Sequence, residues 1–124
     1  MLDVLVVDDS MIMRRNIKKY LTSLGHNIIG EAPDGEYAIS FCKLHKPNLV
    51  TMDISMPGIN GIEVVKELLK IDGNLSIIMI TAYGQNNLVK EALNFGAKGF
   101  ILKPVSEKKL YDSIIKIYPD YANE

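Results

Sequence analysis

Apolar residues along this chain follow two repeating patterns. Short continuous runs of apolar and β-branched residues predict buried strands at 3–7, 27–32, 49–52, 75–80 and 99–102. Between these runs, apolar positions recur every three or four residues, which predicts amphipathic helices at 11–24, 37–44, 62–71, 88–95 and 107–117. This alternation predicts an α/β fold, a doubly wound five-stranded parallel sheet with five helices on its two faces and right-handed crossovers.

Turn residues separate the repeats without leaving room for a linker. Gly25 and Gly96 close two of the helices, Asp72-Gly73-Asn74 closes another, and Pro119 stops the last. No segment rich in Pro, Gly or Ser divides the 124 residues, a length that suits one domain with one core. We therefore predict a single domain over 1–124, with a frayed acidic tail.

Composition narrows the function mainly by exclusion. Apolar residues make up 48% of the chain, which argues against disorder, and the net charge of −1 offers no footprint for nucleic acid or a membrane surface. No apolar run approaches the length of a membrane span. Cys42 is the only cysteine, so no internal disulfide can form and a cytoplasmic location is expected. We predict that Cys42 lies in the core and that His26 and His45, beside turn signals, lie at the surface.

Polar side chains stand at the carboxyl ends of four predicted strands. Asp8 and Asp9 follow the first strand, Asp53 the third, Thr81 the fourth and Lys103 the fifth. Because the carboxyl ends of parallel strands meet at one edge of a sheet, these side chains can converge there. Each has a plain alternative, as a turn or helix cap or as a solvated charge. Three acids, a hydroxyl and a lysine at one edge are harder to assign to capping alone.

Such a cluster suits phosphoryl transfer. Three crowded carboxylates repel one another, and a hard divalent cation relieves that repulsion. Mg²⁺ prefers oxygen ligands and commonly bridges carboxylates to a phosphate. Lys103 adds positive charge for phosphoryl oxygens and Thr81 adds a hydroxyl donor. Asp53 can then act as the nucleophile and form an acyl phosphate.

Four motifs resemble the receiver domains of bacterial two-component response regulators. They are Val6-Val7-Asp8-Asp9-Ser10, Thr51-Met52-Asp53-Ile54-Ser55-Met56-Pro57-Gly58, Ile80-Thr81-Ala82 and Leu102-Lys103-Pro104. The match covers essentially the whole chain, and Met13-Arg14-Arg15 and Tyr83-Gly84-Gln85 are most similar to the small stand-alone chemotaxis type. The resemblance implies a flavodoxin-like sheet with strand order 2-1-3-4-5.

The resemblance also implies a role for each acid. Asp53 would be the phosphoacceptor. Asp9 and Asp53 would bind Mg²⁺ directly and Asp8 mainly through water, while the backbone carbonyl of Ser55 would complete the protein ligands. Mg²⁺ is therefore the expected cofactor.

The remaining motif residues are implied to hold and report the phosphoryl group. Thr81 and Lys103 would bind it, and the Lys103-Pro104 bond would be cis. Phe100 falls at the family's switch aromatic, and would turn inward as Thr81 moves; the alternative is that Phe100 is a fixed core residue. Ser55 is smaller, and Tyr83 bulkier, than is frequent at two positions that flank the acyl phosphate. We expect both to influence its lifetime.

The implied function is a phosphorylation-dependent switch rather than an enzyme with a foreign substrate. A sensor histidine kinase or phosphotransfer protein would supply the phosphoryl group. A protein target, such as the flagellar switch in chemotaxis, would read the altered surface of the fourth helix, fifth strand and fifth helix. We expect a monomer that contacts neither nucleic acid nor membrane.

Three other classes of protein share part of this pattern. A haloacid-dehalogenase-like aspartyl-phosphate phosphatase needs a second Asp two residues after the nucleophile, where this chain has Ser55. A flavodoxin-like cofactor carrier needs a phosphate-cradling loop where Asp8-Asp9 stand. A receiver fragment of a longer transcription factor stays open, but the sequence as given contains no DNA-binding module, and we favour a stand-alone receiver.

Overall fold

All five predicted strands pair in parallel in one sheet, in the order β2-β1-β3-β4-β5 that the resemblance implied. The computed structural model of the chain describes residues 1–82 and 84–123. The strands are β1 (Asp3–Val7), β2 (Asn27–Ala32), β3 (Leu49–Asp53), β4 (Ser76–Thr81) and β5 (Gly99–Leu102). The helices are α1 (Met11–Ser23), α2 (Gly35–Leu44), α3 (Gly61–Ile71), α4 (Asn86–Asn94) and α5 (Glu107–Ile117). Each element forms where it was predicted, with its ends shifted by a residue or two.

Side-chain caps begin four of the five helices. Ser10, Asp34, Asn60 and Ser106 each accept a hydrogen bond from a backbone N–H in the first turn of the helix that follows. Such caps satisfy a donor that the helix itself leaves unpaired. Helix α4 differs, because Gln85 precedes it without forming a side-chain cap. The side chain of Gln85 is therefore available for other contacts.

Helices cover both faces of the sheet. Helices α2, α3 and α4 pack on one face of the sheet, and α1 and α5 pack on the other. One apolar cluster lies beneath the helices of each face. The central strands β3 and β4 are buried along their whole length. This arrangement explains why these strands are continuously apolar rather than alternating. It also leaves the strand ends as the places where polar side chains can gather.

The carboxyl-terminal segment packs against the fold instead of fraying. Residues Pro119–Asn123 form a 3-10 helix, and the hydroxyl of Tyr121 accepts a hydrogen bond of 3.0 Å from the terminal amine of Met1. The ring of Tyr121 packs edge-on against His26, which is only 8% exposed. The Nδ1 atom of His26 accepts a hydrogen bond from the backbone N–H of Leu2. The predicted fraying was therefore wrong for Pro119–Asn123, while Glu124 lies outside the described residues. The predicted surface position of His26 was also wrong, because Tyr121 packs against its ring.

The predicted positions of Cys42 and His45 are confirmed. Cys42 is buried among apolar side chains of α2 and its neighbours. Burial raises the pKa of its thiol to about 11, and the charge of Asp72 adds to that rise. His45 is exposed and its ring lies against Phe41.

Among the described residues, none of the helices has the length and apolar character needed to cross a membrane.

Candidate phosphoryl-transfer site

The strand register brings the predicted site residues to one edge of the sheet. Asp53 is the last residue of β3 and pairs with Ile80, one residue before the end of β4 at Thr81. The backbone N–H of Lys103 donates to the carbonyl of Thr81 at 2.7 Å. Asp8 follows β1 directly, beside β3 in the sheet. The convergence that the strand ends predicted is thus present.

Three carboxylates form the centre of this edge. Asp8, Asp9 and Asp53 each offer an oxygen within 4.8 Å of the others. Asp8 and Asp53 are buried and Asp9 is exposed. One oxygen of Asp53 accepts the backbone N–H of Ser55 at 2.9 Å, and the other pairs with the ammonium group of Lys103 at 3.1 Å. The lysine therefore neutralises only part of the negative charge.

Asp8 shows most directly that this cluster fits a cation. Its Oδ1 accepts the backbone N–H of Ser10 at 2.9 Å, whereas its Oδ2 is buried with no hydrogen-bond partner among the described residues. Burial is the main reason that the pKa of Asp8 lies above its ordinary value, and the neighbouring carboxylates raise it further. A buried carboxylate oxygen without a donor is costly unless a cation or water meets it. The all-oxygen donor set suits Mg²⁺.

The hydroxyl of Thr81 is hydrogen-bonded to a neighbouring side-chain amide. The hydroxyl of Thr81 donates to Oε1 of Gln85 at 3.0 Å. The same oxygen accepts the backbone N–H of Ala82 at 2.9 Å, and Nε2 of Gln85 donates to the hydroxyl of Ser55. Gln85 therefore spans the mouth of the site from β4 to the loop after β3. We call these contacts the Gln85 bridge.

Comparison with known proteins agrees with this geometry. Residues 4–115 match the family described as response regulator receiver domain. This chain belongs to that family. Receiver domains are phosphorylation-dependent switches of two-component signalling, and they generally bind Mg²⁺ through acidic residues.

Several relatives of this receiver are chemotaxis proteins. It is 44% identical over 114 residues to the chemotaxis protein CheY of Thermotoga maritima, covering 92% of this chain and 95% of the relative. It is 42% identical over 113 residues to CheY of Bacillus subtilis, covering 91% and 94%. A chain in the crystal structure of the CheX–CheY–BeF3–Mg²⁺ complex from Borrelia burgdorferi superposes with a TM-score of 0.88 at 39% identity, covering 94% of this chain and 88% of that one.

The structure describes the predicted switch aromatic, Phe100, but not Tyr83. Phe100 of this receiver is 51% exposed on β5, which rules out the alternative of a fixed core residue. Its ring lies beside a groove of about 400 Å³ that Leu93 and Lys109 also line. Tyr83, expected to influence phosphate lifetime, lies outside the described residues. The Lys103-Pro104 bond is cis, as the resemblance implied.

Arg14 on α1 holds the backbone of the receiver's acid cluster, a contact that was not predicted from the sequence. Its guanidinium donates to the backbone carbonyl of Asp8 at 2.6 Å and to the carboxylate of Glu31 on β2 at 2.9 Å. Glu31 also accepts from Lys18, and these two contacts, that with Lys18 first, hold the pKa of Glu31 below its ordinary range. Arg14 thus ties the end of β1 to α1 and β2. The arginine pair was visible in the sequence, but nothing local indicated that Arg14 reaches Asp8.

Proposed function

We propose that this receiver accepts a phosphoryl group on Asp53 from a histidine kinase or phosphotransfer protein. The observation that carries the proposal is the environment of Asp53. Its carboxylate is buried at a strand end, aligned by the Ser55 amide and Lys103, and surrounded by the two other acids. A nucleophile held in this way needs little further ordering before it reacts.

The chain's own residues divide the work of transfer. An oxygen of Asp53 forms the bond to phosphorus, while the bond from phosphorus to the donor atom breaks and the donor leaves with its electron pair. Lys103 exchanges its ion pair with Asp53 for the transferred oxygens, and Thr81 donates its hydroxyl to them. Asp9, Asp53 and the carbonyl of Ser55 would hold Mg²⁺, with Asp8 acting through water, and the bound cation would supply neutralising charge.

The output of the switch is proposed to be the surface formed by α4, β5 and α5. Movement of Thr81 toward the phosphoryl group makes room for Phe100, now 51% exposed, to turn inward. A protein that binds this altered surface better shifts the equilibrium toward it. The similarity to CheY proteins over nearly their whole length supports a cytoplasmic chemotaxis regulator, with the flagellar switch as its target.

Phosphorylation by a small-molecule donor tests the assignment of Asp53. Acetyl phosphate with Mg²⁺ should add one phosphoryl group to the parent protein, measured by intact mass. Asp53→Asn should abolish the added mass. Asp72→Asn, at a half-buried aspartate outside the acid cluster, should label like the parent. Equal labelling of Asp53→Asn would refute the assignment.

Amide NMR with beryllofluoride, which mimics an acyl phosphate, tests the output. Chemical-shift changes should spread from Asp53 to α4 and to the segment around Phe100. Thr81→Ala should confine them to the acid cluster. If they were confined there in the parent as well, the proteins that receive the signal would have to recognise something other than this surface.

A further inference from the structure

The Gln85 bridge has a fixed orientation. A backbone N–H can only donate, so the hydrogen bond from Ala82 requires that the oxygen of the Gln85 amide point toward β4. The amide nitrogen must then point the other way, toward the hydroxyl of Ser55. The oxygen is thereby also presented to the hydroxyl of Thr81 at 3.0 Å. The acceptor for Thr81 is therefore set by the backbone rather than by a freely rotating side chain.

This acceptor competes with a phosphoryl group for a single proton. The hydroxyl of Thr81 has one hydrogen to donate, and its acceptors here are Gln85 at 3.0 Å and the carbonyl of Ala82 at 3.3 Å. Thr81 is 3% exposed, so water is a poor substitute for either. A phosphoryl group on Asp53 is a stronger, charged acceptor. Thr81 can donate to it only by giving up Gln85.

The same residue starts α4. The carbonyl of Gln85 accepts the backbone N–H of Val89 at 3.1 Å, in the first turn of the helix. Its side chain does not cap this helix, unlike the residues before α1, α2, α3 and α5. The amide instead ties the start of α4 to Ser55 and Thr81. The contact with Thr81 is thus one of three, beside those with Ala82 and Ser55, that hold this side chain at the amino-terminal end of α4.

We propose that Gln85 is a positioning residue that holds Thr81 and the start of α4 in the unphosphorylated arrangement. Donation from Thr81 to the phosphoryl group removes one contact of the bridge and weakens its hold on the start of the helix. Gln85 thus sets how much binding energy the phosphoryl group must supply before α4 moves, because the bridge stabilises only the unswitched state. This inference rests on the proposed function, in which Thr81 responds to phosphorylated Asp53.

Removing the bridge should make the switch easier. We would titrate beryllofluoride into Gln85→Ala with Mg²⁺ in excess and follow the amide signals of Thr81 and Phe100. Loss of one competing hydrogen bond should tighten beryllofluoride binding about two- to tenfold. Gln85→Glu, which keeps an oxygen acceptor for Thr81, should bind no more tightly than the parent. Asn86→Ala, at the exposed first position of α4, should match the parent.

A double variant separates this role from a purely structural one. In a Thr81→Ala background, Gln85→Ala should give no gain in affinity, since the hydroxyl that Gln85 withholds is gone. Parent-like or weaker binding by Gln85→Ala, or an undiminished gain in the double variant, would overturn the inference. If Gln85→Ala failed to fold, Gln85→Met, which keeps the length of the side chain but offers Thr81 no oxygen acceptor, should tighten binding in its place. A parent that did not bind beryllofluoride would instead contradict the proposed function itself.

Discussion

Replacing Asp8 by asparagine should make the protein more stable in the absence of divalent cations. The substitution keeps the Oδ1 atom that accepts the backbone N–H of Ser10. It replaces the buried Oδ2, which has no hydrogen-bond partner within residues 1–82 and 84–123, by an amide nitrogen that can donate to a neighbouring carboxylate. A repulsive contact within the acid cluster is thus exchanged for an attractive one at nearly constant volume.

The distances within the cluster set the size of this effect. At an effective dielectric constant of about 20, two unit charges 4.8 Å apart repel by about 3.5 kcal/mol. Asp8 has two such neighbours, Asp53 and Asp9. The attraction of Lys103 offsets part of the repulsion, and solvent weakens the repulsion from Asp9 because that side chain is exposed. A net gain of about 1–3 kcal/mol in the free energy of unfolding is reasonable after this compensation. For a chain of this length that corresponds to a rise of about 4–12 °C in the melting temperature.

Thermal unfolding followed by circular dichroism, with EDTA or with millimolar Mg²⁺, measures both halves of the prediction. Mg²⁺ should raise the melting temperature of the parent, because a ligand that binds only the folded state stabilises it. It should raise that of Asp8→Asn much less. Asp72→Asn is the matched control, since Asp72 makes the same turn hydrogen bond, to the backbone N–H of Asn74 at 2.9 Å, outside the cluster.

Three results would refute this reasoning. If Asp8→Asn melted at or below the temperature of the parent in EDTA, the carboxylates would not be repelling one another in the folded protein. If Mg²⁺ stabilised the parent and the variant equally, the cation would be binding somewhere other than this cluster. A large shift in the Asp72→Asn control would show that the turn, and not the charge, decides stability.

Three further predictions concern other parts of the molecule. Cys42, buried and with a pKa of about 11, should resist alkylation at pH 8 until the protein is unfolded; stoichiometric labelling of the native protein by mass would contradict its core position. The lowered pKa of Glu31 means that its contacts stabilise the fold above the ordinary value of 4.5 and are lost as the pH falls through the lowered pKa. Glu31→Gln should therefore lower the free energy of unfolding at pH 7 by about 0.5 kcal/mol, measured by urea denaturation. The difference from the parent should vanish in acid. Ser55→Ala and Tyr83→Ala should each change the dephosphorylation rate of Asp53 several-fold, and parent-like decay of both would exclude control by access of water.

The secondary structure and the candidate site residues were predictable because each is indicated by a short stretch of sequence. Each strand is a continuous apolar run, and each helix shows its own three-to-four periodicity, so the alternation could be seen without knowing any distant contact. Asp8, Asp53 and Thr81 were then located by position alone, since they stand where strands end and parallel strands end at one edge. No prediction of side-chain contacts was required for either step.

The predictions that were wrong depend on contacts between distant parts of the chain. His26 was assigned to the surface because it follows a turn, yet it is buried and the ring of Tyr121 packs against it. Tyr121 in turn is held by Met1, at the opposite end of the sequence. Since neither contact leaves a periodic pattern in the sequence, only the assembled fold could show that the last turn covers this edge.

The residues that restrain the switch were missed for a different reason. Gln85, Asn86 and Asn87 are all polar residues at the start of α4, and their sequence does not indicate which one turns toward the site. The backbone N–H of Ala82 makes that selection, because it orients the amide of Gln85 over Thr81. Asp53 stands at the end of a strand, where its position could be predicted, whereas Gln85 lies at the start of α4 and only its side chain reaches Thr81. It follows that substitutions at positions such as Gln85 can alter the threshold of a receiver while leaving its phosphoryl-transfer residues unchanged.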